Sequence, residues 1–183
     1  MKDITVHLAA PIQKDSIVDG EGLRTVIWFQ GCPHKCKGCH NPKSHDFKGG
    51  KETKISEIKE MISNLKHQDG ITFSGGEPMA QSDALLEIAT YAKEHKLNIW
   101  CYTGYTFEEL MDMSNTNPIY KEILKTIDTL VEGPFKIEEK SLNMKFRGSK
   151  NQRILDSKKS LKNNKPVLIQ KYRKEKKVVV SLY

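Results

Sequence analysis

Residues 23–42 read LRTVIWFQGCPHKCKGCHNP. The first half, Leu23 to Gln30, is β-branched and aromatic, the composition of a buried strand. The second half sets Cys32, Cys36 and Cys39 in a Cys-x3-Cys-x2-Cys loop directly after it. An iron–sulfur cube ordinarily takes four thiolates, one for each iron. Three thiolates with no fourth nearby leave one iron open to a small molecule, which points to an enzyme rather than an electron carrier. A structural zinc site is the rival reading, since zinc takes Cys and His in a closed tetrahedron. His34 and His40 are the candidate fourth donors, but each lies inside or directly against the cysteine run, where closing a tetrahedron strains the loop. A disulfide framework fits poorly with only four cysteines in 183 residues. No apolar signal-like stretch stands at the N-terminus, so the expected compartment is the reducing cytoplasm.

Outward from this loop, strands and helices alternate. Ile55, Ile58, Ile62 and Leu65 recur at helical spacing and predict a helix over about 54–67. Asp69-Gly70 breaks it, a short strand follows at Ile71–Phe73, and Ser74-Gly75-Gly76-Glu77-Pro78 makes a loop. A second helix is expected over about 82–96, capped by Ser82 or Asp83. Asn98–Tyr102 reads as a strand ended by Thr103-Gly104-Tyr105. Thr106 and Glu109 form a capping-box pattern for a short helix. A further helix runs from about Pro118, in its first turn, to Lys125, and a strand over Asp128–Glu132 stops at Gly133-Pro134. Val167–Gln170 and Val178–Leu182 are expected to pair as a terminal hairpin.

This order predicts an α/β fold with mostly parallel strands. The chain is shorter than the ~250 residues of a complete eight-unit barrel. In parallel sheets ligands gather at the carboxyl ends of the strands. The cysteine loop, the Gly-Gly-Glu loop, the Thr103-Gly104-Tyr105 turn and the Gly133-Pro134 turn are all expected on that rim. Adjacent glycines there make a tight turn or let a ligand approach bare backbone. Glu77 is expected either to bond a ligand amine or to cap the helix that follows.

The net charge of +7 is concentrated at one end. Residues 157–183 hold eight Lys and Arg173 against Glu175 alone, so the body before them is close to neutral. The expected division is therefore a core domain over 1–156 and a basic C-terminal extension over 157–183. A basic tail of this kind solvates, or docks on an acidic surface, and nucleic acid is not expected as a partner. No apolar run reaches the ~20 residues of a membrane span. Arg24 is read as a surface ion-pair residue and Cys101 as a buried hydrophobe.

The cluster loop followed by the Gly-Gly-Glu loop resembles the radical S-adenosylmethionine enzymes. Within them, residues 18–42, VDGEGLRTVIWFQGCPHKCKGCHNP, resemble the activases of glycyl-radical enzymes. TGYTFEEL (103–110), DTLVEGPF (128–135) and FRGSKNQRIL (146–155) are similar to the activases of anaerobic ribonucleoside-triphosphate reductases. The resemblance covers about residues 12–156 and implies a partial (β/α) barrel of the radical SAM type. It implies a 4Fe–4S cluster on Cys32, Cys36 and Cys39, with S-adenosylmethionine on the open iron. Gly38, Cys39 and His40 then border the adenine, and Gly76 meets the methionyl part with Gly75 and Glu77 in support. No side chain is assigned as an acid or base. The implied partners are the large catalytic subunit of the reductase, which receives the glycyl radical, and an electron donor such as flavodoxin. Activases of pyruvate formate-lyase share the same chemistry and remain the near alternative. Gly38 departs from the wider pattern, where an aromatic residue often precedes the last cysteine. Arg147, Asn151, Gln152 and Arg153 are read either as ligand or partner contacts or as a solvated loop.

Overall fold

A computed structural model describes residues 4–173 of the chain. The elements run β1 (Thr5–Leu8), β2 (Gln13–Ser16), β3 (Arg24–Phe29), β4 (Lys51–Lys54), α1 (Ile55–Ser63), β5 (Gly70–Gly75) and α2 (Ser82–Glu94). They continue with β6 (Asn98–Tyr102), α3 (Phe107–Met113), α4 (Ile119–Thr126), β7 (Thr129–Glu132), β8 (Arg153–Asp156) and α5 (Ser157–Asn163). Among the described residues eight strands form one sheet in the order β4-β1-β3-β5-β6-β7-β8, with β2 also on β3. The four central strands, β3, β5, β6 and β7, are mutually parallel, and the outer pairings are antiparallel. The expected α/β class with mainly parallel central strands is what the chain adopts. No helix of the described residues is long and apolar enough to cross a membrane.

Strand alternation gives the sheet two different faces. Ile27 and Phe29, Ile71 and Phe73, Ile99 and Cys101, Leu130 and Leu155 point to one side and pack with Ile55, Ile58 and Ile62 of α1 and Leu85 and Ile88 of α2. Each such side chain contributes roughly 1.5–3 kcal/mol by leaving water. Trp100, Val131 and Ile154 point to the other side and form a separate cluster with Tyr172, closed by Phe146. Among the described residues the five helices serve the first face or its edge, and the second face is covered by loops and the strap at 167–173.

The periodic segments form as the pattern requires, with local differences. α1 stops at Ser63 because Asn64 turns back: its N–H bonds the Glu60 and Met61 carbonyls and its side chain donates to the Glu60 carbonyl. Neither Ser82 nor Asp83 caps α2; Gln81 stands at that position and makes no side-chain cap bond. Pro118 is the N-cap of α4 rather than part of its first turn. The capping box of α3 is present, with Thr106 and Glu109 each accepting from the other's backbone. Strands β1, β2, β4 and β8 and helix α5 were not legible in advance. Val167–Ile169 pairs with β8, through the Asp156 N–H to Val167 and the Ile169 N–H to Ile154. The partner expected for it, Val178–Leu182, lies outside the described residues.

After Asp156 the chain runs straight into α5, capped by Asp156 on the Lys159 N–H, with Ser157 and Ser160 buried. Ser157 donates to the Leu124 carbonyl of α4 at 2.6 Å.

Candidate functional site

The parallel strands bring the four expected loops to one rim, around a cleft of about 710 Å³. Cys32, Cys36 and Cys39 line it, with Gly75, Gly76 and His40. The cysteine loop is held by its own backbone. The Gly31 N–H donates to Ser44 at 2.8 Å, the Cys32 N–H to His45 at 3.2 Å, and the Cys39 N–H to Cys36 at 3.1 Å. Gln30 adds bonds to the carbonyls of Lys43 and Asp46. His45, given no role by the sequence, also lines the cleft.

Two glycines here have local reasons, one in close backbone approach and one in a positive φ. A Cβ on Gly76 would stand 2.5 Å from the Gly31 carbonyl oxygen, so the Gly-Gly-Glu loop packs bare backbone against the cysteine loop. The Gly76 N–H donates to Phe29 and the Glu77 N–H to Gly31, which locks the two together. Gly38 has φ +75°, and a Cβ there would meet Ile137 at 2.4 Å. The Ile137 methyl can shift aside, so it is the positive φ that favours glycine over an aromatic residue before the third cysteine.

Glu77 is fully buried. One carboxylate oxygen accepts from the Met79 N–H at 3.0 Å and the Thr103 hydroxyl at 2.9 Å. The other accepts from the Gly104 N–H at 2.8 Å and lies 2.8 Å from His34 Nε2. Of the two roles anticipated for it, the cap on the turn that follows is present. It does more: one carboxylate joins the cysteine loop, its own loop and the Thr103-Gly104-Tyr105 turn. Tyr105 then meets the His34 ring edge-on at 4.4 Å.

Cys32 is buried, and Cys36 and Cys39 are half-buried. Burial pushes the Cys32 thiol up, while backbone hydrogen bonds from His34 and Lys35 pull it down. Such amide–sulfur bonds also tune a metal-bound thiolate. Among the described residues no three His, Cys, Asp or Glu side chains converge as a single metal ion requires. A cube makes a different demand, because it spreads its thiolates over separate irons. Three thiols around one cleft, with amides aimed at the deepest, suit it. The fourth cysteine, Cys101, is fully buried on the helix-covered face of the sheet, and burial holds its thiol well above the ordinary range. It stands as the core residue expected.

Arg24 overturns its reading as a surface ion-pair residue: it is fully buried and far from the cleft rim. Arg147, Asn151, Gln152 and Arg153 are half-buried and hydrogen-bonded within the chain, and Arg147 and Gln152 also line the cleft. Arg147 donates to the carbonyls of Gln152 and Tyr172, and Asn151 to that of Pro134. Gln152 bonds Gly133, Gly148 and Ser149. Arg153 bridges Glu108 and the buried Glu132. Burial keeps the Glu132 carboxyl above its usual range despite that partner.

Residues 18–155 match the family described as a 4Fe-4S single cluster domain. The chain is 32% identical over 145 residues to the anaerobic ribonucleoside-triphosphate reductase-activating protein of Enterobacteria phage T4, covering 75% of this chain and 86% of that one. The protein of the same name from Vibrio cholerae serotype O1 is 34% identical, covering 75% of this chain and 90% of that one. The pyruvate formate-lyase-activating enzyme of Clostridium pasteurianum is 35% identical over 66% of this chain but only 49% of its own length.

Proposed function

Because the chain belongs to the family of anaerobic ribonucleoside-triphosphate reductase-activating proteins, we propose that Cys32, Cys36 and Cys39 each hold one iron of a 4Fe–4S cluster in this cleft. The sheet is then a partial (β/α) barrel of the radical SAM type, over a core of residues 1–156, with 157–183 as an extension of it. When bound, the cluster and S-adenosylmethionine supply a one-electron cleavage that yields methionine and a 5′-deoxyadenosyl radical, which takes a hydrogen atom from a glycine of the reductase's large catalytic subunit.

The chain's own residues bind, orient and exclude water. Gly75 and Gly76 offer unobstructed backbone to the methionyl group, and Gly38, Cys39 and His40 border the adenine. Glu77, with its four donors all internal, acts through the loops it joins and keeps the cysteines in register with the glycines. A cytoplasmic electron donor such as flavodoxin completes the system.

The observation that carries this reading is the position of the cysteines: three line the cleft, and the fourth lies on the opposite face of the sheet. The test is anaerobic purification, reduction and addition of S-adenosylmethionine, with assay of 5′-deoxyadenosine. Brown wild-type protein is expected to give reductant-dependent product, and Cys36→Ala to give none. Colourless, zinc-loaded protein without product would overturn the assignment. The relative that activates pyruvate formate-lyase motivates a parallel assay: the glycyl-radical signal is expected on the reductase subunit and not on pyruvate formate-lyase.

A further inference from the structure

His40 and Phe135 meet on the cleft wall beside Cys39, with ring centroids 5.2 Å apart and planes tilted by 48°. Neither belongs to the hydrophobic core, His40 being exposed and Phe135 half-buried. They arrive from opposite sides, one after the third cysteine and the other from the turn that ends β7. A pair of rings on a polar rim, outside the core, needs a reason to be held there.

That turn is fastened from the motif that the cofactor chemistry left unexplained. Gln152 Nε2 donates to the Gly133 carbonyl at 3.0 Å, and Asn151 Nδ2 to the Pro134 carbonyl at 2.7 Å. The Lys136 N–H, on the other side of Phe135, donates to the Ser149 hydroxyl at 3.3 Å. A Cβ on Gly148 would stand 3.1 Å from the Phe135 ring and 3.6 Å from the His40 ring, so glycine there leaves both rings their place. Gln152 in turn holds Gly148 through its backbone N–H at 2.9 Å.

We propose that Phe135 is a purine-contacting residue, forming with His40 a wall against which the adenine ring lies, and that Asn151 and Gln152 are positioning residues that hold Phe135 in it. The ring lies against the pair, since 5.2 Å between centroids leaves no gap for insertion. Aromatic rings prefer offset or tilted contacts, and a nucleobase presents a π-face to either partner. The proposal rests on S-adenosylmethionine being the cofactor.

The test uses anaerobically reconstituted full-length protein. Trp28 lines the same cleft, so its fluorescence reports binding. The probes are S-adenosylmethionine and 5′-deoxyadenosine, which keeps the purine but lacks the amino-acid part. Phe135→Leu is expected to weaken both about tenfold, and Phe135→Tyr to restore both to within about twofold of wild type. The spectrum of the reduced cluster should be the same in all three proteins. Asn151→Ala is expected to weaken both probes severalfold, with no further loss when combined with Phe135→Leu, because the two act through one contact. Unchanged affinities in Phe135→Leu, with an intact cluster spectrum, would overturn the wall alone. A loss confined to S-adenosylmethionine would overturn it too, by placing Phe135 on the amino-acid side. Wild-type protein that forms no cluster and binds neither probe would overturn the proposed function and this inference with it.

Discussion

Glu77 and Arg24, ionisable side chains of opposite sign, are fully buried at opposite ends of the parallel strands. At the carboxyl end Glu77 accepts four hydrogen bonds from a serial set of loop groups, His34, Met79, Thr103 and Gly104. At the amino end Arg24 donates to Thr72, to the Glu21, Ile71 and Asn98 carbonyls and to the Asn98 side chain. Its guanidinium also lies 5.5 Å from the Trp100 ring. Arg24 has no carboxylate among these partners. Burial pulls it down to about 10, so it remains charged at neutral pH and is solvated by fixed dipoles in place of water. Glu77 is solvated in the same manner, but its dipoles belong to loops rather than to strands. The difference teaches where each end spends its order: Arg24 fastens strands to one another, and Glu77 fastens the loops that carry the site.

The largest expected effect is therefore on the strand end. Arg24→Met removes five donors; the buried Ile71 carbonyl loses its guanidinium partner, and the Thr72 hydroxyl keeps only its bond to the Asp19 carbonyl. The expected loss is about 3 kcal/mol, read as a lower urea midpoint with an unchanged slope. Arg24→Lys should recover only part of it, because an ammonium has three donors and no planar fork. A loss under about 1 kcal/mol in Arg24→Met would show that the strands hold without their ion.

Next comes Glu77→Gln, equal in shape and neutral. The amide has one acceptor oxygen, and its NH2 would face the Met79 or the Gly104 N–H, so that backbone bond cannot form, while the Thr103 hydroxyl or His34 ring beside it must turn from donor to acceptor. A loss of about 2 kcal/mol is expected. The sharper readout is iron retained per chain after anaerobic reconstitution, which should fall in Glu77→Gln and stay at the wild-type level in Arg24→Lys. Equal iron retention in both would mean that Glu77 only caps its turn.

How much of this was legible in the sequence differs between the two ends for a physical reason. The rim announced itself through local pattern: three cysteines in one loop, a Gly-Gly pair, and strands separated by helices of period 3.6. Those signals lie within a few residues of one another, and the parallel topology brought their loops together. Arg24 gave no such signal. Its partners are 3, 47, 48 and 74 residues away, and nothing near it distinguishes a buried guanidinium from an exposed one. The bonds from Asn151 to Pro134 and from Gln152 to Gly133 were hidden for the same reason, since they join turns 17 and 19 residues apart. Short edge strands such as Gln13–Ser16 and Lys51–Lys54 are mostly exposed and carry no hydrophobic alternation to read.

The smallest expected effect concerns the strap that closes the amino end. Glu21 accepts from the Tyr172 hydroxyl at 2.7 Å and from Lys171, whose hydrogen bond chiefly holds the Glu21 carboxyl below its ordinary value of 4.5. A depressed carboxyl contributes its stability above the unfolded value, and the contribution disappears as pH falls through the folded one. Both groups are largely exposed, so the pair is worth under about 1 kcal/mol. Tyr172 is a buried part of the cluster with Trp100 and Phe146, at 5.7 and 5.5 Å, and these rings should hold the strap when the ion pair is gone. Amide hydrogen-exchange protection over residues 167–173, taken relative to the intrinsic rate at each pH, should therefore drop only severalfold between pH 5 and 3, and that step should vanish in Glu21→Gln. Wholesale release of the strap on acidification, absent in Glu21→Gln, would make the latch electrostatic, and the amino end would then depend on charge at its surface as well as at its centre.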